Sequence, residues 1–127
     1  MRIRRNHIED GIQAEIVGLL QVAAIDGLMW FAIPNGGFRD WNTARILKET
    51  GVRAGVADIF LGHQALGLHF LEVKTPARGS GLSQDQRDFR DECEAKGFRY
   101  GVARSRDEAQ DILTEWGLLR VRKAVAA

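Results

Sequence analysis

Three polar residues, Asp58, Glu72 and Lys74, stand where apolar segments of the sequence begin or end. Glu72 and Lys74 are two positions apart, so in an extended strand their side chains point to the same face. Two carboxylates held together repel each other unless a cation neutralises them, and Mg²⁺ prefers oxygen ligands. Such a cation can bind a phosphodiester oxygen and activate a water. Lys74 could orient that water and offset negative charge in the transition state.

The pattern around these residues predicts that Asp58 and Glu72 meet. Residues 57–61 and 66–74 are apolar runs typical of strands, and the four residues between them suit a hairpin. The start of one hairpin strand lies beside the end of the next, which places Asp58 near Glu72. The backbone carbonyl of Val73 could add a metal ligand. The alternative is a solvated Glu72–Lys74 pair at a strand end, because an isolated E-x-K triplet is common.

Helices and further strands are predicted around the hairpin. A helix over 7–26 has Asn6 as its cap and Glu9 as the capping-box partner. A strand over 29–33, a helix over 41–50, a helix from Ser83 to Gly97, a strand over 98–103 and a helix after Ser105 follow. The order α-β-(α)-β-β-α-β-α predicts an α/β fold, a mixed sheet flanked by helices. We expect one domain over 1–127, with a core over about 7–117 and a basic, alanine-rich tail over 118–127.

The overall composition excludes several classes of protein. The 18 basic and 17 acidic residues leave a net charge of +1, so nucleic-acid contacts must come from local patches. No apolar run approaches the roughly 20 residues that span a bilayer, and no apolar segment follows the basic start, so we expect neither membrane anchor nor signal peptide. The single cysteine, Cys93, suits a reducing interior, and we predict a cytoplasmic protein.

Several short segments, in this order and spacing, resemble the VRR-NUC nucleases of the PD-(D/E)xK superfamily. They are Gly51-Val-Arg-Ala-Gly55-Val-Ala-Asp58, Glu72-Val-Lys74 and Leu82-Ser83-Gln-Asp-Gln86, preceded by His7-Ile-Glu9-Asp-x-Ile-Gln13 and the turn Ile33-Pro-Asn35-Gly36-Gly37. The similarity runs from about His7 to Trp116. One position departs from the family pattern, since Ala57 stands where a proline usually precedes the aspartate.

The resemblance implies a restriction-endonuclease-like core and Mg²⁺- or Mn²⁺-dependent hydrolysis of DNA. It implies that Asp58 and Glu72 are metal ligands and Lys74 the catalytic lysine. Glu9 would assist the metal directly or through water, and Gln86 would contact metal-bound water or the phosphate. For these last two residues a capping-box role alone is the alternative interpretation.

The resemblance also implies DNA as the partner, with a role in replication, repair or recombination on branched or flapped DNA such as a Holliday junction, and a homodimer. We predict DNA contacts at Asn35, Gly36, Arg39, Arg53, Arg78 and Ser83, although each basic patch alone could be a solvated surface. The glycine turn lacks the Lys-Ser/Thr of a P-loop, so no nucleotide cofactor is expected. Alternatives are a catalytically silent DNA-binding or assembly module and a sequence-specific restriction-type endonuclease.

Overall fold

The chain forms helices and strands in the order predicted from the sequence. The computed structural model describes residues 3–34, 41–77, 79 and 81–121. Its elements are α1 (Ile3–Ala23), β1 (Met29–Ala32), α2 (Trp41–Glu49), β2 (Ile59–His63), β3 (Gly67–Val73), α3 (Gln84–Ala95), β4 (Arg99–Ala103) and α4 (Arg106–Glu115). The predicted α/β class, a mixed sheet flanked by helices, is confirmed.

The sheet has four strands in the order β1-β2-β3-β4. β1, β2 and β3 are antiparallel neighbours, and β4 runs parallel to β3 at one edge. The hairpin register pairs Ile59 with Leu71, so Asp58, just before β2, lies opposite Glu72 at the end of β3. The prediction that these two residues meet is therefore confirmed.

Side-chain alternation gives the sheet two different faces. On what we call the apolar face, β2 and β3 pack against α1 and α4; it comprises Ile59, Leu61, Leu71 and Val73 with Ile16, Leu19, Leu20, Ala109 and Leu113 of the helices. On the opposite side, which we call the carboxylate face, α3 packs over the aromatic residues that precede Glu72; it comprises Phe60, Phe70, Glu72, Lys74 and Tyr100 with Gln86, Phe89 and Cys93 of α3.

The boundaries of α1 differ from the prediction at both ends. The helix begins at Ile3, so Asn6 lies inside it and not at its cap. It ends at Ala23 and not at Asp26, because Ala24 forms a β-bridge with Leu119. The local apolar spacing continued to predict helix here, and a tertiary pairing overrode it.

Of the two hairpin strands, β2 extends beyond its predicted end, whereas β3 lies within its predicted limits. β2 spans Ile59–His63, so its two last residues lie in the stretch predicted as the connection. The turn occupies residues 64–66, and Gly67 closes it with φ +86°, a conformation that glycine adopts without strain. The turn is one residue shorter than predicted, so Gly62 and His63 belong to β2 and pair with β3.

The core reaches past residue 117, where a tail was predicted to begin. Leu118 is fully buried and Leu119 is 9% exposed. The N–H of Ile25 donates to the carbonyl oxygen of Leu118 at 3.0 Å, which ties this segment to the end of α1. The prediction was wrong here because the chain after α4 returns to the core. Within the described ranges, no helix is long and apolar enough to cross a membrane.

Candidate active site

Asp58 is held in place through both its backbone and its side chain. Its carbonyl oxygen accepts from the N–H of Ile33 at 2.7 Å, just beyond the end of β1. Its Oδ2 accepts from the N–H of Val73 at 2.8 Å, across the hairpin. These contacts align the carboxylate of Asp58 with the end of β3, where Glu72 and Lys74 lie.

Glu72 is 3% exposed, and its two oxygens have different surroundings. Oε2 accepts from Nε2 of Gln86 at 3.0 Å and lies 3.8 Å from Nζ of Lys74. Oε1 is buried and has no hydrogen-bond partner in the part of the chain that the structure describes. The Lys74 side chain is 13% exposed, so its charge is directed into the site. Glu72 and Lys74 lie on one side of β3, as their spacing predicted.

The electrostatics of Glu72 favour a bound cation. Burial, and then the negative charge and hydrogen bonding of nearby Asp58, raise the pKa of Glu72 to about 8. Lys74 lowers this pKa but does not compensate, and Glu9 raises it slightly. One lysine therefore does not neutralise the site. A second positive charge would restore the ionised form of Glu72.

Gln86 joins the cap of α3 to the carboxylate pair. Its backbone N–H donates to Oγ of Ser83 at 3.2 Å, and its side-chain Oε1 accepts from the N–H of Ser83 at 2.9 Å. This is the predicted capping box. Because Oε1 is used there, the amide Nε2 faces Glu72 and donates to it. Gln86 therefore forms the capping box and also contacts Glu72, while its contact with metal-bound water or the phosphate stays a prediction.

Gly55 lets the loop before Asp58 approach α3 closely. Its φ is +86°, and a Cβ at this position would lie 2.4 Å from the backbone carbonyl of Asp85. Only glycine fits both the conformation and the space. Ala57, where the resembling family carries a proline, is fully buried in the cluster formed with Phe89 and Cys93. The small side chain at 57 thus packs under α3 next to the site.

The carboxylates and the backbone form a donor set that suits a divalent cation. Asp58 and Glu72 offer carboxylate oxygens. Oε1 of Glu72, buried and without a hydrogen-bond partner in the described ranges, is the type of atom that a cation satisfies. No three His, Cys, Asp or Glu side chains among the described residues could hold a metal together. Glu9 is thus not a third ligand grouped with them here. Its assistance through water and the Val73 carbonyl as a ligand stay predictions.

The residues predicted to contact DNA have other structural partners where they are described. Arg53 forms an ion pair with Glu92 at 2.9 Å, and its guanidinium lies 5.3 Å from the ring centre of Phe89. Ser83 is exposed and caps α3. Both still present surface to solvent, and their DNA contacts stay predictions. Asn35, Gly36, Arg39 and Arg78 lie outside the described residues.

Two residues near the site were not identified from the sequence. Tyr100 on β4 pairs with Phe70, and its hydroxyl is buried without a partner among the described residues. Arg104 follows β4 and donates through Nη1 to the carbonyl oxygen of Thr75 at 2.8 Å, which anchors the segment after Lys74. Tyr100 is the one tyrosine of the sequence, but its position depends on the β3–β4 register, which no local pattern predicts.

Comparison with solved structures supports the fold. One neighbour is described as a VRR_NUC domain protein; it has a TM-score of 0.69 and 18% sequence identity over 86% of this chain and 87% of that chain. A second, described as a VRR_NUC domain, has a TM-score of 0.57 and 16% identity over 85% of this chain and 95% of that chain. No protein-family profile and no curated protein matches the sequence significantly. The chain therefore shares its fold with these VRR_NUC domain proteins.

Proposed function

We propose that this protein is an endonuclease that hydrolyses DNA phosphodiester bonds with Mg²⁺ or Mn²⁺. The observation that carries the proposal is the pair formed by buried Glu72 and half-buried Asp58, whose mutual repulsion Lys74 alone does not neutralise. Burying a charged carboxylate is unfavourable, so such a pair lowers the stability of the protein when no ligand neutralises it. The fold is similar to that of VRR_NUC domain proteins, and on this likeness we propose a divalent cation and a phosphate as the ligands of the pair.

The side chains divide the work between them. Asp58 and Glu72 would hold the cation, together with the Val73 carbonyl, and Glu9 would assist through water. When bound, the cation supplies charge stabilisation and lowers the pKa of water. Lys74, mostly buried and 3.8 Å from Oε2 of Glu72, would orient the attacking water and offset charge on the phosphate. Gln86 keeps the Glu72 carboxylate aligned.

The substrate we propose is structured or branched DNA in replication, repair or recombination. Arg53 and Ser83 lie on the loop and the helix start that border the site, where phosphates would pass. Arg39, Arg78 and the Asn35-Gly36 turn would add contacts. A homodimer would supply paired active sites for paired cuts, and the protein would act inside the cell.

The test is cleavage of a labelled panel holding single-stranded, duplex, flapped and four-way-junction DNA. Each substrate is incubated with Mg²⁺, Mn²⁺ or chelator, and Asp58→Ala and Lys74→Ala are compared with Asp107→Ala. Asp107 is a matched acidic control, because its side chain is 92% exposed on α4, away from the carboxylate face. We expect metal-dependent cutting that Asp107→Ala retains and the two site variants lose.

Other outcomes separate the alternatives. Discrete products from a mixed set of plasmids indicate a sequence-specific restriction-type enzyme, whereas cutting confined to branched substrates supports the proposed role. DNA binding without cleavage in the presence of either metal would mean that the protein is a binding module and not an enzyme. Cutting that persists in both site variants would place the chemistry elsewhere.

A further inference from the structure

Two buried polar atoms on the carboxylate face have no hydrogen-bond partner in the described part of the chain. One is Oε1 of Glu72, an acceptor, and the other is the hydroxyl oxygen of Tyr100, which can donate. Nearly all buried polar atoms in folded proteins are satisfied by protein groups or by ordered water. Two unsatisfied atoms in the same region therefore require a shared explanation.

The strand register places these two residues next to each other. β3 and β4 are parallel, with Phe70 opposite Tyr100 and Glu72 opposite Val102. Tyr100 is thus the diagonal neighbour of Glu72 on the same face of the sheet, a separation that an aromatic side chain can reach across. The Tyr100 ring is held by an edge contact with Phe89, with ring centres 6.2 Å apart.

The hydroxyl of Tyr100 stays protonated beside the carboxylates. Burial raises its pKa, and the negative charges of Glu72 and Asp58 raise it further. A protonated phenol can donate a hydrogen bond, and the carboxylate oxygens of this site can accept one. Oε1 of Glu72 is a nearby acceptor without a hydrogen-bond partner among the described residues.

We propose that Tyr100 is a positioning residue for Glu72, through an ordered water that accepts from the Tyr100 hydroxyl and donates to Oε1. Gln86 holds the other oxygen, Oε2, at 3.0 Å. The carboxylate is then fixed at both oxygens, and its plane cannot rotate freely. A carboxylate oxygen has two lone pairs, so Oε1 can accept from this water and still bind a cation. The cation part of this inference rests on the proposed function, whereas the water bridge does not.

The first measurement is thermal unfolding of Tyr100→Phe in chelator. The substitution removes one oxygen and keeps the ring. If the water bridge exists, its loss leaves Oε1 unsatisfied, and we expect the Tm to fall by about 3 °C. If the hydroxyl has no partner, removing it leaves the Tm unchanged or raises it, which would overturn the bridge.

The second measurement is calorimetric titration of the same proteins with Mn²⁺ in the absence of DNA. We expect Tyr100→Phe to bind Mn²⁺ about 10-fold more weakly, as loss of a group that orients a ligand usually does. Phe98→Leu is the packing control, because Phe98 belongs to the same cluster and carries no polar group; it should lose stability but keep wild-type affinity.

The two measurements distinguish the ways in which the inference can fail. Equal Mn²⁺ affinity in wild type and Tyr100→Phe would overturn the positioning role, even if the Tm falls. A similar loss of affinity in Phe98→Leu would attribute the effect to packing and overturn it too. A wild-type protein that binds no Mn²⁺ contradicts the proposed function, while the Tm comparison still decides whether the bridge exists.

Discussion

The apolar face and the carboxylate face lie back to back on β3, and their residues alternate along seven positions of chain. On the apolar face, Leu71 and Val73 are at most 1% exposed and pack against aliphatic side chains. Its buried polar residue, His69, has a partner, since Nδ1 lies 3.2 Å from the carbonyl oxygen of Leu61. Burial lowers the pKa of His69, which keeps the ring neutral.

The carboxylate face is equally buried at Glu72 but differs from the apolar face in charge and in hydrogen bonding. Glu72 is about as buried as Leu71, but its pKa is raised and one of its oxygens has no partner among the residues that the structure describes. Both of the buried side-chain atoms without partners in the described residues, those of Glu72 and Tyr100, lie on this face. Packing on the apolar face thus stabilises the fold. The buried carboxylate on the other face lowers stability, in an arrangement suited to a ligand.

The largest expected effect comes from Glu72→Gln on the carboxylate face. The amide keeps the size of the side chain but removes the charge, so we expect cleavage to fall by at least about 1,000-fold, or about 4 kcal/mol of transition-state stabilisation. The Tm in chelator at pH 8 should rise, because an unfavourable buried carboxylate is gone. Cleavage rates and thermal unfolding test this. A variant that still cuts at a comparable rate would remove Glu72 from the site.

The carboxylate face should also determine how the free energy of unfolding depends on pH. The pKa of Glu72 rises from 4.5 to about 8 on folding, so the folded state holds a proton that the unfolded state releases between these values. Stability of the metal-free protein should therefore be highest at the acid end of this window and decrease as pH rises toward 8, by about 1.4 kcal/mol for each pH unit. Urea unfolding in chelator from pH 5 to pH 8 measures it. In Glu72→Gln this decrease should be largely absent, and an equal slope in both proteins would assign it to another group.

On the apolar face, Leu71→Ala should affect stability and leave the site intact. Leu71 is fully buried, so the substitution creates a cavity and should cost about 3 kcal/mol of unfolding free energy. The affinity of the folded variant for Mn²⁺ should match that of wild type. Urea unfolding and Mn²⁺ titration check both parts. A large loss of affinity would mean that the two faces are coupled through β3.

The smallest expected effects are those at the N-caps of α3 and α4, which lie on opposite faces of the sheet. Ser83 and Ser105 each accept from the backbone N–H three residues later, at 3.2 and 3.1 Å. Ser83→Ala and Ser105→Ala should each cost about 1 kcal/mol of stability. We expect a weaker Mn²⁺ affinity in Ser83→Ala alone, because its cap holds the turn that presents Gln86 to Glu72. Equal affinities in the two variants would show that the cap does not act on the site.

The caps also indicate how far local sequence patterns reach. The spacing of Ser83 and Gln86 predicted a capping box, and both of its hydrogen bonds are present. Ser105 and Glu108 have the same spacing, and Ser105 caps α4, but Oε1 of Glu108 accepts from the N–H of Arg104 and not from that of Ser105. α1 begins four residues before its predicted start, so Asn6 lies inside the helix. The cap signals therefore predicted the starts of α3 and α4 but not that of α1, and only at α3 are both hydrogen bonds of the box present.

Local patterns in the sequence were enough to predict the element order, the two faces of β3 and the meeting of Asp58 with Glu72. These features follow from side-chain alternation and a short connection, which are interactions between residues close in the chain. Long-range packing, in contrast, brings Gln86 to Glu72, places Tyr100 diagonal to it and returns Leu118 to the core. The parallel pairing of β3 with β4 depends on how α3 packs across the sheet. Packing of that kind sums many weak contacts between residues far apart in the chain, so no local pattern encodes it.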